Sequence, residues 1–397
     1  MAGNIITAAP DAVAETIDAI VCQYVDAARE GSPPDLEQFL AAHPAFADEL
    51  RELLPLVARL ERWGTAKEIE CVRQSLPVHF PLKELGEYRL VRELGRGGMG
   101  VVFHAEHRFS SRAVALKLLP YRLGADLPQR QAQFRQEVDA IARLQHPHIV
   151  PIYSFGEEGG YFYYVMQLIH GMTLSGVIER LRERDEPFRC RRRRQRTLAT
   201  ATTRVPPGEL QRSSWKAFAG IGVHVAEALQ HAHSAGILHN DIKPANIMLD
   251  STGRAVITDF SGSGLFDGAA QEEQRLALGT LRYMAPERLY KQCDERSDVY
   301  SLGVTLYELV TQSAAFSNLP AVKLTEAIER GDIIAPRWHA PDLPTDLAAI
   351  IMRAMHPDPA QRQESARELH GELLDFLWQR PSRRPSTSWW QRRMRSA

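Results

Sequence analysis

Cysteine is scarce in this sequence. Its 397 residues hold four, Cys22, Cys71, Cys190 and Cys293, far apart and with no CxxC pair. That spacing excludes a disulfide framework and the paired-cysteine zinc sites, and it points to a reducing, cytoplasmic setting. Long apolar runs are missing as well. No stretch approaches the roughly 18 consecutive apolar residues that a membrane helix needs, so no membrane span is expected. The early pair Ile5-Ile6 has neither a basic start nor an extended apolar core, so no signal peptide is expected either. Net charge is nearly absent: 48 Lys plus Arg against 49 Asp plus Glu leave −1, a total that predicts no polyanionic partner. With 44% hydrophobic and 24% charged residues, the chain has an ordinary globular composition and room for one large or two to three ordinary domains.

The charge that is present is segregated. Residues 1–80 carry 6 basic and 13 acidic side chains, residues 180–214 carry 11 Arg and 4 acids, and the tail from Trp378 holds six Arg and no acid. Val13, Ile17, Ile20, Val21, Tyr24 and Val25 fall at helical spacing, as do Phe46, Leu50, Leu53, Leu54, Val57 and Leu60. Residues 1–65 therefore read as a small helical module and 66–86 as a linker. From Tyr88 the texture turns to strand, with Ile149–Phe155 and Tyr161–Met166 as a later pair. Helical stretches follow at Phe218–Ser234, Val299–Thr311, Leu347–Met355 and Ser365–Trp378. Residues 185–213 and the basic tail 379–397 lack an apolar period and read as structureless. Arg191–Arg194 and Trp389-Trp390-Gln391-Arg392-Arg393 admit three readings: solvated segments, nucleic-acid contacts, or contacts to an anionic surface.

Gly95-Arg96-Gly97-Gly98-Met99-Gly100-Val101-Val102 is a glycine loop of the kind whose backbone can approach phosphate oxygens. Alone it is weak. A strand rather than a helix follows it, and no acidic residue stands about 20 positions on, which disfavours a dinucleotide fold; no GK[ST] closes it as a Walker loop. Lys117 comes next, inside an apolar run, and Glu137 lies on a predicted helix over Phe134–Leu144 where it can pair with that ammonium. The strongest block is His239-Asn240-Asp241-Ile242-Lys243-Pro244-Ala245-Asn246, followed by Ile257-Thr258-Asp259-Phe260. Phosphoryl transfer needs an oriented hydroxyl and divalent cations on the phosphates. Asp241 can accept the hydroxyl proton, Lys243 can stabilise the transferring charge, and Asn246 and Asp259 offer hard oxygen ligands for magnesium.

In this ordered set the sequence resembles the eukaryotic-like (Hanks-type) protein kinases, in particular their bacterial serine/threonine branch. The resemblance covers about residues 88–378 and extends to Ala285-Pro286-Glu287, Asp298 and Arg362, where the family pairs an arginine with the Glu287 position. It implies an α+β, two-lobed kinase fold over 87–378, with a β-rich first lobe, a helical second lobe and an Arg-rich insertion at about 181–214. It implies transfer of the γ-phosphate of Mg-ATP to protein Ser or Thr hydroxyls, with Mn2+ as an alternative cation, protein substrates as partners and a role in bacterial signalling. By position, Met166 guards the back of the adenine pocket, Gln167–Ile169 form the hinge, and Val102, Ala115 and Met248 sandwich the ring. Ile141, Ile152, His239 and Phe260 form the spine between the lobes. Lys243 and Gly279-Thr280 match the Ser/Thr class, with Thr280 expected to bond Asp241 or Lys243.

Three departures stand out. Asn240 replaces the usual arginine before the catalytic aspartate, Ser261 replaces the glycine after Asp259-Phe260, and the insertion near 181–214 is extra. The alternative they raise is a weak pseudokinase that acts as a scaffold through residues 1–65. Gly264 to Gly279 contains no Ser, Thr or Tyr, so both the usual phosphate acceptor and its usual arginine reader are missing. Activity independent of activation-segment phosphorylation is the expectation. Ala245 and Thr173 stand where relatives selecting basic substrates tend to carry acids, so no strong basic preference is expected.

Overall fold

The computed structural model describes residues 39–40, 42–44, 83–97, 100–120, 127–158, 161–183, 204–260, 281–290, 292–316, 319 and 321–380. Residues Met1–Thr65 separate from Ala66–Ala397 as a unit of their own. Of that first unit only a short helical end around Phe39–Leu40 is described, with Leu40 buried. The two apolar stripes of the expected module lie outside the described residues, as do Arg191–Arg194 and the tail from 381.

In the second unit, β1 (Glu84–Leu85), β2 (Tyr88–Gly97), β3 (Gly100–His107), β4 (Ala113–Pro120), β5 (Ile152–Glu158) and β6 (Tyr161–Gln167) make one antiparallel sheet in the order β1-β2-β3-β4-β6-β5. Period-two alternation divides its faces. Val114, Leu116 and Leu118 of β4 pack with Val101, Phe103 and Ala105 of β3 on one side. Ala115, Tyr164 and Met166 share the other with Phe134 and Val138 of α1 (Leu127–Ala142). The sheet opens at Glu84, inside the stretch read as linker, because Leu85 is fully buried in the first of these cores.

The second lobe begins with β7 (Gly171–Thr173) and α2 (Leu174–Glu183), then α3 (Trp215–Ser234), β8 (Ile247–Asp250) and β9 (Ala255–Ile257). It continues with α4 (Glu295–Thr311), α5 (Ala321–Arg330), the short α6 (Pro336–His339), α7 (Thr345–Ala354) and α8 (Ala366–Leu377). α3 is buried on nearly every side, as a central helix must be if it is apolar all round. The Asp294 and Ser365 side chains cap α4 and α8 by accepting from Arg296 N and Glu368 N. Arg362, 1% exposed, meets Glu287 through two parallel bonds of 2.7 Å and adds bonds to the carbonyls of His356, Arg296 and Pro357. Among the described residues no helix is long and apolar enough to cross a membrane.

One expectation is corrected here. The expectation of a structureless 185–213 fails over 204–213, which return in an ordered path that turns at Pro207–Glu209 and buries Leu210 to 1%. Pro206-Pro207 lowers the entropy lost on ordering, and Leu210 contributes apolar burial. At Gly253, with φ +82°, a Cβ would fall 2.2 Å from the Val205 carbonyl oxygen, so only glycine admits this close approach.

Beside that return lies a group of stacked histidines. His148 and His224 are 4.1 Å apart, nearly parallel, and His146 stacks on His231 at 5.1 Å. Ala255 of β9 ties the first pair down: its carbonyl accepts from His148 Nδ1 at 2.7 Å and its N–H donates to His224 Nδ1 at 3.3 Å. His224 must be neutral to accept that bond. Burial, then the nearby His148, Arg204 and Arg254, bring its pKa down to about 3, and burial lowers those of His146 and His148. Below the ordinary histidine pKa of about 6.5 the unfolded chain therefore binds more protons than the folded one. Stability should be greatest above that pH and fall as the pH drops toward 5 in urea titrations. His224→Asn, which keeps an acceptor near Nδ1 without a titrating ring, should reduce that slope.

Candidate active site

The glycine loop is the hairpin between β2 and β3, with Gly95 opposite Val102, Arg96 opposite Val101 and Gly97 opposite Gly100. Gly98 and Met99, at its tip, lie outside the described residues. Gly100 has φ +150°, and a Cβ there would sit 2.0 Å from the Leu118 carbonyl oxygen, so the loop can close onto β4 only as glycine. Arg96 turns back on its own strand and pairs with Glu93 at 2.8 Å.

Lys117 projects from the β4 face that also carries Ala115, and it is only 5% exposed. A buried ammonium needs a carboxylate, and Asp259 supplies it: Lys117 Nζ lies 2.8 Å from Asp259 Oδ1. The Tyr164 hydroxyl donates to the same oxygen at 2.9 Å. Burial pushes the Asp259 carboxyl upward, but Lys117 and the Tyr164 bond outweigh it and leave its pKa below the usual carboxylate range. Burial and that carboxylate together hold the Tyr164 phenol well above its ordinary value, so it remains a donor. Glu137 lies on α1, as expected, with its side chain outside the described residues.

Residues 239–246 are held from below by Asp298 of α4, itself 1% exposed. Its carboxylate accepts from His233 Nε2 and the backbone N–H groups of His239 and Asn240, each at 2.8 Å. Burial raises the Asp298 pKa, but the bond from His233 heads the group of donors that bring it below the usual value. Asn240 takes φ +62°, a left-handed backbone that asparagine tolerates better than most residues. Its carbonyl accepts from Arg288, which follows Ala285-Pro286-Glu287 directly. His239 donates from Nε2 to the Thr258 carbonyl at 3.0 Å and lies 4.5 Å from the Phe260 ring, and burial lowers its pKa. Ile141, Ile152 and Phe260 line one small cavity.

Asp241 sits between two partners. Lys243 Nζ lies 2.9 Å from its Oδ1, and Asn246 Nδ2 donates to its Oδ2 and to its carbonyl, both at 2.8 Å. The Asn246 amide thus spends its donor end on Asp241, and its oxygen is the end that could ligate a cation. Thr258 ties this loop to Asp259: its N–H and hydroxyl donate to the Asn246 carbonyl at 2.9 and 3.2 Å. Two hard oxygen donors held this way fit a magnesium-like ion, which takes few protein ligands and completes its shell with phosphate and water. Thr280 lies outside the described residues.

Of the expected adenine contacts, β-register sets Ala115 opposite Met166, and Val102 and Ile169 pack in the same cluster. Met248 enters on β8 from the second lobe. Gln167 donates its N–H to the Pro151 carbonyl at 3.0 Å and stands opposite Val114 in the β4–β6 register. Tyr164, Arg288 and His233 belong to no motif that the sequence displays. Tyr164 alone left a trace: an aromatic doublet, Tyr163-Tyr164, in which one hydroxyl must point toward the cleft face.

Residues 88–387 match the family model described as a protein kinase domain. The chain is similar to the serine/threonine-protein kinase PrkC of Bacillus subtilis, 31% identical over 290 residues, which cover 72% of this chain and 40% of that protein. It is also similar to the serine/threonine-protein kinase PknE of Mycobacterium tuberculosis, 34% identical over 291 residues, with 72% of this chain and 45% of the relative covered. For PknD of Chlamydia muridarum the figures are 32% over 317 residues, 73% and 31%. The chain thus spans less than half the length of these curated relatives.

Asp298 carries a testable consequence. Asp298→Ala leaves three donors without their buried acceptor and should cost about 3–5 kcal/mol of stability, read from urea unfolding. Asp298→Asn, which keeps the shape, should lose less.

Proposed function

The chain belongs to the protein kinase domain family, and on that premise we propose that it is a serine/threonine protein kinase working on Mg-ATP in bacterial signalling. The observation that carries this reading is the Asp241 carboxylate, fixed between Lys243 and Asn246 and joined through Thr258 to Asp259. Asp241 is the base that orients a Ser or Thr hydroxyl and receives its proton. Lys243, already at the same carboxylate, is placed to meet charge on the transferring phosphate. Lys117 positions the α- and β-phosphates, and Gly95–Gly100 cover them. When bound, magnesium spreads the phosphate charge; Asn246 and Asp259 are the residues that would hold it. Val102, Ala115, Met166, Gln167, Ile169 and Met248 bind adenine. Protein hydroxyls are the substrate class.

Asp241→Ala should lower phosphotransfer to a generic protein mixture by at least roughly 10²–10⁴-fold while nucleotide binding stays largely intact. Equal labelling by wild type and variant would defeat the reading.

We extend the proposal to activation. Asn240 carries no guanidinium to grip a phosphate, and the segment from Gly264 to Gly279 offers no hydroxyl to carry one. In its place Arg288 reaches the Asn240 carbonyl directly, so the loop is braced by a residue that needs no modification. Initial rates of phosphatase-treated and ATP-preincubated protein should agree within about twofold. A tenfold rise traced to a phosphate within 261–280 would refute this.

A further inference from the structure

Tyr164 is placed oddly for a residue that only fills space. It is 7% exposed on the β6 face toward α1, where Phe162, two residues earlier, stacks on Phe134 at 4.5 Å with no polar atom at all. A phenylalanine would suit that environment, so packing does not explain the hydroxyl. Its partner does. The hydroxyl donates to Asp259 Oδ1 at 2.9 Å, the same oxygen that Lys117 Nζ meets at 2.8 Å. Lys117 and Tyr164 are direct cross-strand partners, with the ammonium 5.9 Å from the phenol ring centroid. Adjacent strands of a rigid sheet therefore deliver two donors to one carboxylate oxygen.

What they hold is a residue under conformational tension. Asp259 has φ +61°, a backbone region that L side chains other than asparagine and aspartate seldom adopt and that persists only where the surroundings impose it. Beside it is a small cavity walled by Val138, Ile141, Val150 and Ile152, in which Tyr164 is the one polar residue facing Asp259 among the lining side chains. The cavity offers adjacent apolar space, and the hydroxyl is the polar group by which its wall engages the carboxylate.

We propose that Tyr164 is a positioning residue: its hydroxyl, together with Lys117, latches Asp259 into the cleft and so fixes the direction in which the carboxylate can offer its other oxygen. The latch deepens the phosphotransfer reading, on which its purpose rests, but its physical content is local. The Lys117 ammonium, which is indifferent to direction, defines only the place of Oδ1, and the directional hydroxyl bond of Tyr164 adds a constraint on the plane of the carboxylate.

The test is Tyr164→Phe in the full chain, which keeps the ring and removes one oxygen. Tyr163→Phe, a hydroxyl deletion on the neighbouring residue and the opposite face of β6, is the control. In protein free of nucleotide and metal, backbone hydrogen exchange across Ile257–Phe260 should accelerate roughly tenfold to a hundredfold in Tyr164→Phe, the scale of a lost hydrogen bond to a charged group. It should not change in the control. Calorimetry with a non-hydrolysable ATP analogue gives the second readout. The gain in affinity on adding Mg2+ should shrink about tenfold in Tyr164→Phe, with the metal-free affinity kept within twofold. A merely structural tyrosine would instead shift both affinities together. Exchange equal to wild type in Tyr164→Phe overturns the latch. A wild-type protein whose nucleotide binding ignores Mg2+ would count against the phosphotransfer reading, while the exchange measurement would still decide the latch.

Discussion

The carboxylate of Asp298 is buried on α4 with almost no access to water, and it meets two successive backbone N–H groups of the loop above it. Charge in such a place is tolerated only when donors surround it, so the loop is locked as firmly as the helix. From that lock a continuous polar chain runs through the molecule. Asn240 leads to Asp241, Asp241 to Asn246, Asn246 to Thr258, and Asp259 follows in sequence to reach Lys117 and Tyr164 on the sheet. Asp241, Asn246 and Asp259 are thus referenced to one helix. The first lobe enters the chain at a single carboxylate.

Much of this was legible in the residues, and the reasons are local. Glycines at 95, 97 and 100, the 239–246 block and the Thr258-Asp259-Phe260 run each carry their chemistry within a few positions, so order and spacing sufficed. The Glu287–Arg362 pair, 75 residues apart, followed from the family pattern and stands in the structure as a bidentate ion pair. What escaped depends on register and distance. Tyr164 faces Lys117 only because β4 and β6 align at that residue, a fact no period in either strand declares. Asp298 belongs to the family pattern, but its acceptor role spans 58 and 59 residues. The return of 204–213 was missed because its arginine-rich neighbourhood obscured one apolar anchor, Leu210.

The departure at Asn240 has a physical counterpart elsewhere in the fold. Losing the arginine before Asp241 removes a cation from the loop, and Arg288 brings one back to the carbonyl of the same residue from the segment that follows Glu287. Because Glu287 is fixed by Arg362, Arg288 is carried on an anchored turn, Pro286–Tyr290. The brace is therefore built from parts that are already rigid, and its geometry is set by folding.

Asn240 itself then answers to backbone shape more than to charge. Its N–H is held by Asp298, its carbonyl by Arg288, and its φ is positive. The constraint on the position is therefore steric: residues that enter the left-handed region at small cost, asparagine, aspartate and glycine, meet it with least strain. Valine, isoleucine or threonine would be purged there, however well they served elsewhere in the loop.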